Sequence, residues 1–309
     1  MAGEGPSVAC LGECMVELRT RPDGLLARSY GGDTLNTALY LARLGVSTSY
    51  VTALGDDDFS ADMVRAWEAE GIGTGHVLRL PGCLPGLYII ETDESGERRF
   101  LHWRDSAPVR RIFDPPHVAA VRTALLAADV LYLSGITLSL FGAEARERLI
   151  AALADARAAG RRVVFDTNFR PRGWPDREEA MRTYARVLPL CHTVLAGIDD
   201  VRQMGEDTTA SRLAARLCEL GVTEAVVKLA EPGCLVRHAG VEDMVPIPAP
   251  VVPVDTTAAG DSFAAAYLAA RLAGEAPAAA ALAGHGLAAC VIRHAGAIIP
   301  REAMPVAGR

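Results

Sequence analysis

Residues 254–263 read VDTTAAGDSF, a lone acid set directly behind a stretch almost stripped of side chains. Before it lies the Pro-rich VPIPAPVVPV, and after it the helical pattern SFAAAYLAARLAG. If Ala258, Ala259 and Gly260 form the turn into that helix, their N–H groups lack intrahelical partners and converge on an anion, aided by the helix dipole. Small side chains admit a phosphate to the main chain, and Gly260 tolerates a strained turn. Asp261, in the first turn, then sits close enough to take the proton of a hydroxyl attacking that phosphate, a general-base effect of about 10²–10⁴ in rate. Taken alone, the same aspartate also reads as an ordinary acid capping a helix.

A second group of candidates lies near the N-terminus. YGGDTLNTALYLARLG (30–45) carries paired glycines, then Asp33 and Asn36 at the head of a helix. Asp33 reads as an N-cap; equally, Gly32 lets a polyhydroxy ligand approach the backbone while Asp33 and Asn36 bond its hydroxyls. Arg104 follows a strand-like segment and Arg170 follows FDTNF, positions that suit bidentate capture of a carboxylate, although each arginine alone also reads as a solvated charge. VVKLAEPGCLV (226–236) supplies a strand, a turn at Gly233 and a returning strand, either a wall for a nucleotide or a plain hairpin. No GxxxxGKS or GxxxxGKT run exists, so any phosphate site is of another kind. The histidines lack metal-ligand spacing and no Ser-His-Asp order is recognisable, which argues against metalloenzyme and hydrolase chemistry.

Alternating elements position these residues. VACLG (8–12), YVTALG (50–55), DVLYLSG (129–135), RVVFDTN (162–168), HTVLAG (192–197) and EAVVKLA (224–230) read as buried strands. Between them lie amphipathic segments at 34–44, 58–70, 142–159 and 209–220, ended by Gly45, Gly71, Gly160 and Gly221. That alternation predicts a mostly parallel, doubly wound sheet with helices on both faces. GLYIIETDESGERRFLHWR (86–104) breaks the rhythm and reads as a hairpin around DESGE. With residues 13–30 it forms a small projecting sheet, placed to act as a lid because ligands of such folds bind outside the carboxyl ends of the strands. As a bare pattern it is equally a surface hairpin.

The 309 residues, half of them hydrophobic, suffice for one large α/β domain. The formal net charge of -7 argues against a nucleic-acid binder, which needs a basic surface. Seven cysteines form no CxxC pair and mostly sit in apolar runs, which fits a reduced cytoplasm. The start MAGEGPSVACLGECMVEL has no basic flank and reads as a first core strand, not a signal peptide; no apolar run reaches the roughly 18 residues of a membrane helix.

Together these motifs resemble the ribokinase-like carbohydrate kinase family, also called the pfkB family. DTTAAGDSF (255–263) is similar to its C-terminal signature, usually DTTGAGD, and GGDTLNTALYLARLG (31–45) to its N-terminal one. The resemblance narrows to the 2-keto-3-deoxygluconate kinase subgroup through LPGLYIIETDESGERRF (84–100), HWR (102–104), FDTNFRPRGW (165–174) and GAIIPREAMP (296–305). It spans about residue 8 to residue 305.

This resemblance implies a Rossmann-type three-layer α/β sandwich with a mostly parallel central sheet and a small β-sheet lid. The whole chain, 1–309, is then one kinase domain, with a lid from about 13–30 and 84–106 that makes a dimer contact in many relatives. The implied reaction moves the γ-phosphoryl group of ATP to the C6 hydroxyl of 2-dehydro-3-deoxy-D-gluconate, with Mg²⁺ bridging phosphates. Asp261 takes the base role, and the backbone of Ala258, Ala259 and Gly260 forms the anion hole. Gly32, Asp33, Asn36, Tyr88, Arg104 and Arg170 match positions that hold the sugar acid. Lys228 and Gly233 match the nucleotide wall, and His285 a residue packing against adenine. Asp200 corresponds to a glutamate acting on Mg²⁺, here through water, while Asp255 and Thr257 fall where many relatives bind a monovalent cation such as K⁺.

Two departures stand out. The KxGxxG of the family appears as Lys228-Leu229-Ala230-Glu231-Pro232-Gly233, and its NxxE as Gly197-Ile198-Asp199-Asp200. The alternatives carried forward are a kinase of 2-dehydro-3-deoxygalactonate, fructose or ribose, and a non-catalytic sugar-acid sensor.

Overall fold

The computed structural model describes residues 5–21, 23–92, 98–231 and 233–305. Its strands are β1 (Val8–Leu11), β2 (Met15–Thr20), β3 (Leu26–Gly31), β4 (Thr48–Leu54), β5 (Val77–Arg79), β6 (Leu87–Thr92), β7 (Arg98–Trp103), β8 (Val130–Ser134), β9 (Arg162–Asp166), β10 (Thr193–Gly197), β11 (Glu224–Lys228), β12 (Gly233–His238) and β13 (Val241–Pro246). Its helices are α1 (Asp33–Arg43), α2 (Asp58–Ala69), α3 (Val118–Ala127), α4 (Gly135–Ser139), α5 (Ala143–Ala158), α6 (Arg177–Val187), α7 (Ile198–Gln203), α8 (Ala210–Glu219), α9 (Ala259–Leu272) and α10 (Pro277–Val291).

Nine strands form the large sheet in the order β13-β12-β11-β10-β9-β8-β1-β4-β5. It is parallel from β11 to β5 and antiparallel across β11, β12 and β13. Its central strands are apolar runs because helices cover both faces. Along β1 the side chains alternate between two cores, Ala9 and Leu11 entering one with Phe141 and Phe165, Val8 and Cys10 the other with Trp67 and Tyr267. The expected helices stop where the glycines predict: Gly45, Gly71, Gly160 and Gly221 have φ of 83°, 84°, 75° and 97°. The α/β class read from the sequence is the fold observed.

The second sheet has the order β3-β2-β6-β7. Its register sets Glu17 opposite both Ser29 and Tyr88, and Tyr88 opposite His102, so these four side chains share one face. On that face the Tyr88 hydroxyl donates to buried Glu17 and its ring stacks on His102, with centroids 5.7 Å apart. The DESGE turn occupies 93–97, outside the described residues. No helix is long and apolar enough to cross a membrane among the described residues.

The segment after α10 closes over α1. The Tyr40 hydroxyl donates to the Ala297 carbonyl at 2.6 Å, and Arg43 to that of Ile299 at 2.7 Å. This docking delivers the Gly296 N–H to the Asp255 carboxylate at 2.7 Å, tying the last loop to the turn that precedes α9.

Candidate active site

The ends of β9 and β11 and the N-termini of α1 and α9 converge on one site, linked by the Asn168–Asp33, Lys228–Asp166 and Asn36–Asp261 hydrogen bonds. Ala258 starts α9 in the left-handed region, φ 61° and ψ 15°, and no side chain among the described residues caps the helix. That conformation costs a residue with a Cβ about 1 kcal/mol, so the turn is held by its surroundings. Asp255 is one such support, since its carboxylate accepts the Thr257 N–H at 2.8 Å besides that of Gly296.

The turn exposes a different set of amides from the three anticipated. The Ala259 N–H folds back on the Thr256 carbonyl at 3.2 Å, because the left-handed step at Ala258 closes a tight turn there. Among the described residues, the N–H groups of Ala258, Gly260 and Asp261 donate to no protein acceptor. Those three are the amides available to an anion.

Asp261 lies in the first turn of α9, as the motif predicts, but it does not cap the helix. Its Oδ2 accepts the Asn36 carboxamide at 2.8 Å, and Thr37 of the same helix α1 bonds its backbone carbonyl at 3.3 Å. Its pKa rises to about 7, first because burial strips water from the carboxylate and next because Asp33 repels the charge; the Asn36 bond pulls the other way. Asn36 is buried, and its Oδ1 has no hydrogen-bond partner among the described residues.

Asp33 is not an N-cap either. Gly32 occupies that position without a side-chain bond, and Asp33 is the first helical residue. Its Oδ2 accepts instead from Asn168 at 2.8 Å, across from the loop after β9. Asn168 holds a left-handed φ of 28°, a conformation asparagine tolerates better than most residues. In the sequence Asn168 and Asp166 are marked only as polar residues at the end of an apolar strand.

Lys228 ends β11 and reaches Asp166 at the end of β9, with Nζ 3.0 and 2.8 Å from the two carboxylate oxygens. Burial works against the ammonium, but Asp166, Asp200 and Asp261 outweigh it and hold its pKa above the ordinary value. For Asp166, burial dominates and raises the pKa, with Lys228 opposing. Gly233, φ 145°, opens β12, and its carbonyl accepts the Leu229 N–H at 3.1 Å across the turn.

Asp200, at the start of α7, folds back toward β10. Its Oδ2 accepts the Thr167 hydroxyl at 2.6 Å, and the same oxygen lies 2.8 Å from where a Cβ on Gly197 would stand. A side chain at 197 would require the Asp200 carboxylate to shift from this position.

The two arginines differ. Arg104 is paired with Glu13, a buried carboxylate whose pKa is raised by desolvation against the pull of Arg104. Arg170 is mostly exposed, donates to the Phe169 carbonyl at 2.8 Å and stands 3.5 Å from Asp200. His285, in α10, is buried against the Phe263 ring with centroids 5.0 Å apart, its Nε2 facing the Val245 carbonyl at 3.3 Å.

Comparison with known proteins places this geometry in a family. The chain belongs to the pfkB family of carbohydrate kinases, whose description as pfkB family carbohydrate kinase matches residues 6–304. It is 43% identical over 306 residues to the 2-dehydro-3-deoxygluconokinase of Escherichia coli strain K12, covering 96% of this chain and 98% of that one. Against the enzyme of the same name from Dickeya dadantii it is 42% identical over 307 residues, covering 97% and 98%. Among solved structures, a PfkB protein from a Polaromonas species superposes with a TM-score of 0.83 at 26% identity, covering 94% of this chain and 96% of that one.

Proposed function

We propose that the protein is an ATP-dependent sugar-acid kinase, a 2-dehydro-3-deoxygluconokinase forming 2-dehydro-3-deoxy-6-phospho-D-gluconate. One observation carries the chemistry: a carboxylate with a pKa of about 7, fixed by Asn36 beside three amides that have no protein acceptor among the described residues, at the start of α9. The identity of 43% to a 2-dehydro-3-deoxygluconokinase supports the substrate. In the reaction, Asp261 takes the proton of the C6 hydroxyl as its oxygen forms the new bond to the γ-phosphorus. The bond from that phosphorus to the bridging oxygen breaks, and its electron pair leaves with ADP. The amides of Ala258, Gly260 and Asp261 receive the charge gathering on the phosphoryl oxygens.

Asp33 and Asn36 are assigned to the sugar hydroxyls, and Tyr88, Arg104 and Arg170 to the side of the site that takes the acid. Lys228, Gly233 and His285 are assigned to the nucleotide side. A divalent ion such as Mg²⁺ supplies neutralisation of phosphate charge when bound. Among the described residues no three acidic, His or Cys groups gather as a metal cage. That fits an ion held mostly by phosphates and water, with Asp200 reached through water. Asp255 and Thr257 are assigned to a monovalent cation such as K⁺.

Residues 1–309 act as one kinase domain with the small sheet as its lid. Exposed Leu25, Leu26, Phe100 and Trp103 on that lid support pairing with a second copy. Seven free cysteines and the use of ATP support a cytoplasmic location.

A coupled assay of ADP release across 2-dehydro-3-deoxygluconate, its galactonate epimer, fructose and ribose tests the reading. Efficient turnover of the first is expected; use of a neutral sugar with neither keto-acid phosphorylated would overturn it.

A further inference from the structure

We propose that Asp166 is a positioning residue that holds the Lys228 ammonium beside the anion hole, where it meets the negative charge of the transferring phosphoryl group. The inference deepens the kinase reading above and rests on it. Two independent distances carry it. Both Asp166 oxygens bind Nζ, and the same Nζ lies 3.6 Å from where a Cβ on Gly260 would stand. One face of the ammonium is thus spent on the carboxylate while the other looks onto the backbone that receives the phosphate.

The surroundings separate this pair from an ordinary structural salt bridge. Asp166 is buried at the end of β9, between β8 and β10, so its carboxylate cannot swing away. The Lys228 side chain is a quarter exposed. Acidic groups otherwise crowd it: Asp200 from α7 and Asp261 from α9 act on the ammonium directly, and Asp33 from α1 acts on Asp166 and Asp261. The Cys234 thiol faces it from β12. A triphosphate entering four carboxylates needs a fixed cation, and a lysine pinned by one acid loses less freedom on meeting phosphate than a lysine in solvent. Lys228 also draws down the pKa of Asp261, linking the cation to the base.

The test uses the full chain with Asp166→Asn, Asp166→Glu and the doubly neutral Asp166→Asn/Lys228→Met. For each, kcat, both KM values and ATP binding by calorimetry are measured from pH 6 to about pH 11, past the ordinary lysine value. Asp166→Asn should lower kcat about 10²-fold, leave KM for the keto-acid nearly unchanged, and move the alkaline limb to lower pH, because the ammonium loses the acid that stabilises its charge. Asp166→Glu should restore the limb and part of kcat. The double variant leaves no unpaired buried charge and should fold while staying slow; a kcat equal to that of the parent overturns the proposal. So does an unmoved alkaline limb in Asp166→Asn, or an equal rise in both KM values. Should the parent not phosphorylate the keto-acid, the substrate reading fails alone: ATP binding still decides, and equal affinity of parent and Asp166→Asn across the pH range overturns the role of Asp166.

Discussion

The carboxamide of Asn36 donates to the carboxylate of Asp261 at 2.8 Å across 225 positions of sequence. This bond joins the head of α1 to the head of α9 and opposes the desolvation that lifts the Asp261 pKa to about 7. The carboxylate is the working form, so turnover should fall as pH drops through about 7. Asn36→Leu removes the bond that favours the charged form and should move this acid limb to higher pH. Asp33→Asn removes a repelling charge and should move it to lower pH. Rate profiles of both variants check the signs, and a shift in the same direction would refute the account of the base. Asp261→Asn should lose about 10²–10⁴ in kcat while retaining substrate binding.

Arg170 and Arg104 should separate on two measurements. Arg170→Ala should raise KM for the keto-acid roughly tenfold or more, leave KM for ATP nearly constant and keep the melting temperature, because its side chain is mostly exposed. Arg104→Ala leaves Glu13 buried without its partner and should cost about 3 kcal/mol of stability as well. Steady-state kinetics beside thermal melts distinguish the two; equal KM effects on both substrates would place Arg170 elsewhere.

Glu224 ties the catalytic helix to the sheet from the far end. Buried at the start of β11, it accepts the Tyr267 hydroxyl at 2.8 Å and Arg271 at 2.8 and 3.0 Å. Glu224→Ala should destabilise the fold by about 3 kcal/mol, read as a lower denaturation midpoint with an unchanged slope. Catalysis in the folded fraction should change little, since the cluster lies at the opposite end of the strand from Lys228.

Ala258 stands where the usual family signature has glycine, and it adopts φ 61°. Ala258→Gly should keep full activity and change stability by less than about 1 kcal/mol, relief of strain being offset by the freer unfolded chain. Ala258→Val cannot hold the left-handed turn without greater strain and should lose both turnover and melting temperature. A fully active valine variant would show that the turn does not depend on this conformation.

Much of this protein was legible in its sequence because the signals were local. Apolar runs named the strands, glycines stopped the helices, and the small residues before Asp261 marked a helix start that faces an anion. The tertiary structure decided which partner each polar group took. Asp33 and Asp261 both read as caps, yet a cap requires only a neighbouring amide, and the fold supplied Asn168 and Asn36 instead. The motif offers Ala259 as an anion-hole donor, but the left-handed step at Ala258 turns its N–H onto the Thr256 carbonyl. Nor did any spacing announce Asp166 opposite Lys228, 62 residues apart, because that meeting depends on β9 and β11 flanking β10. Sequence periodicity records which face a residue occupies; only strand order fixes which charges meet across it.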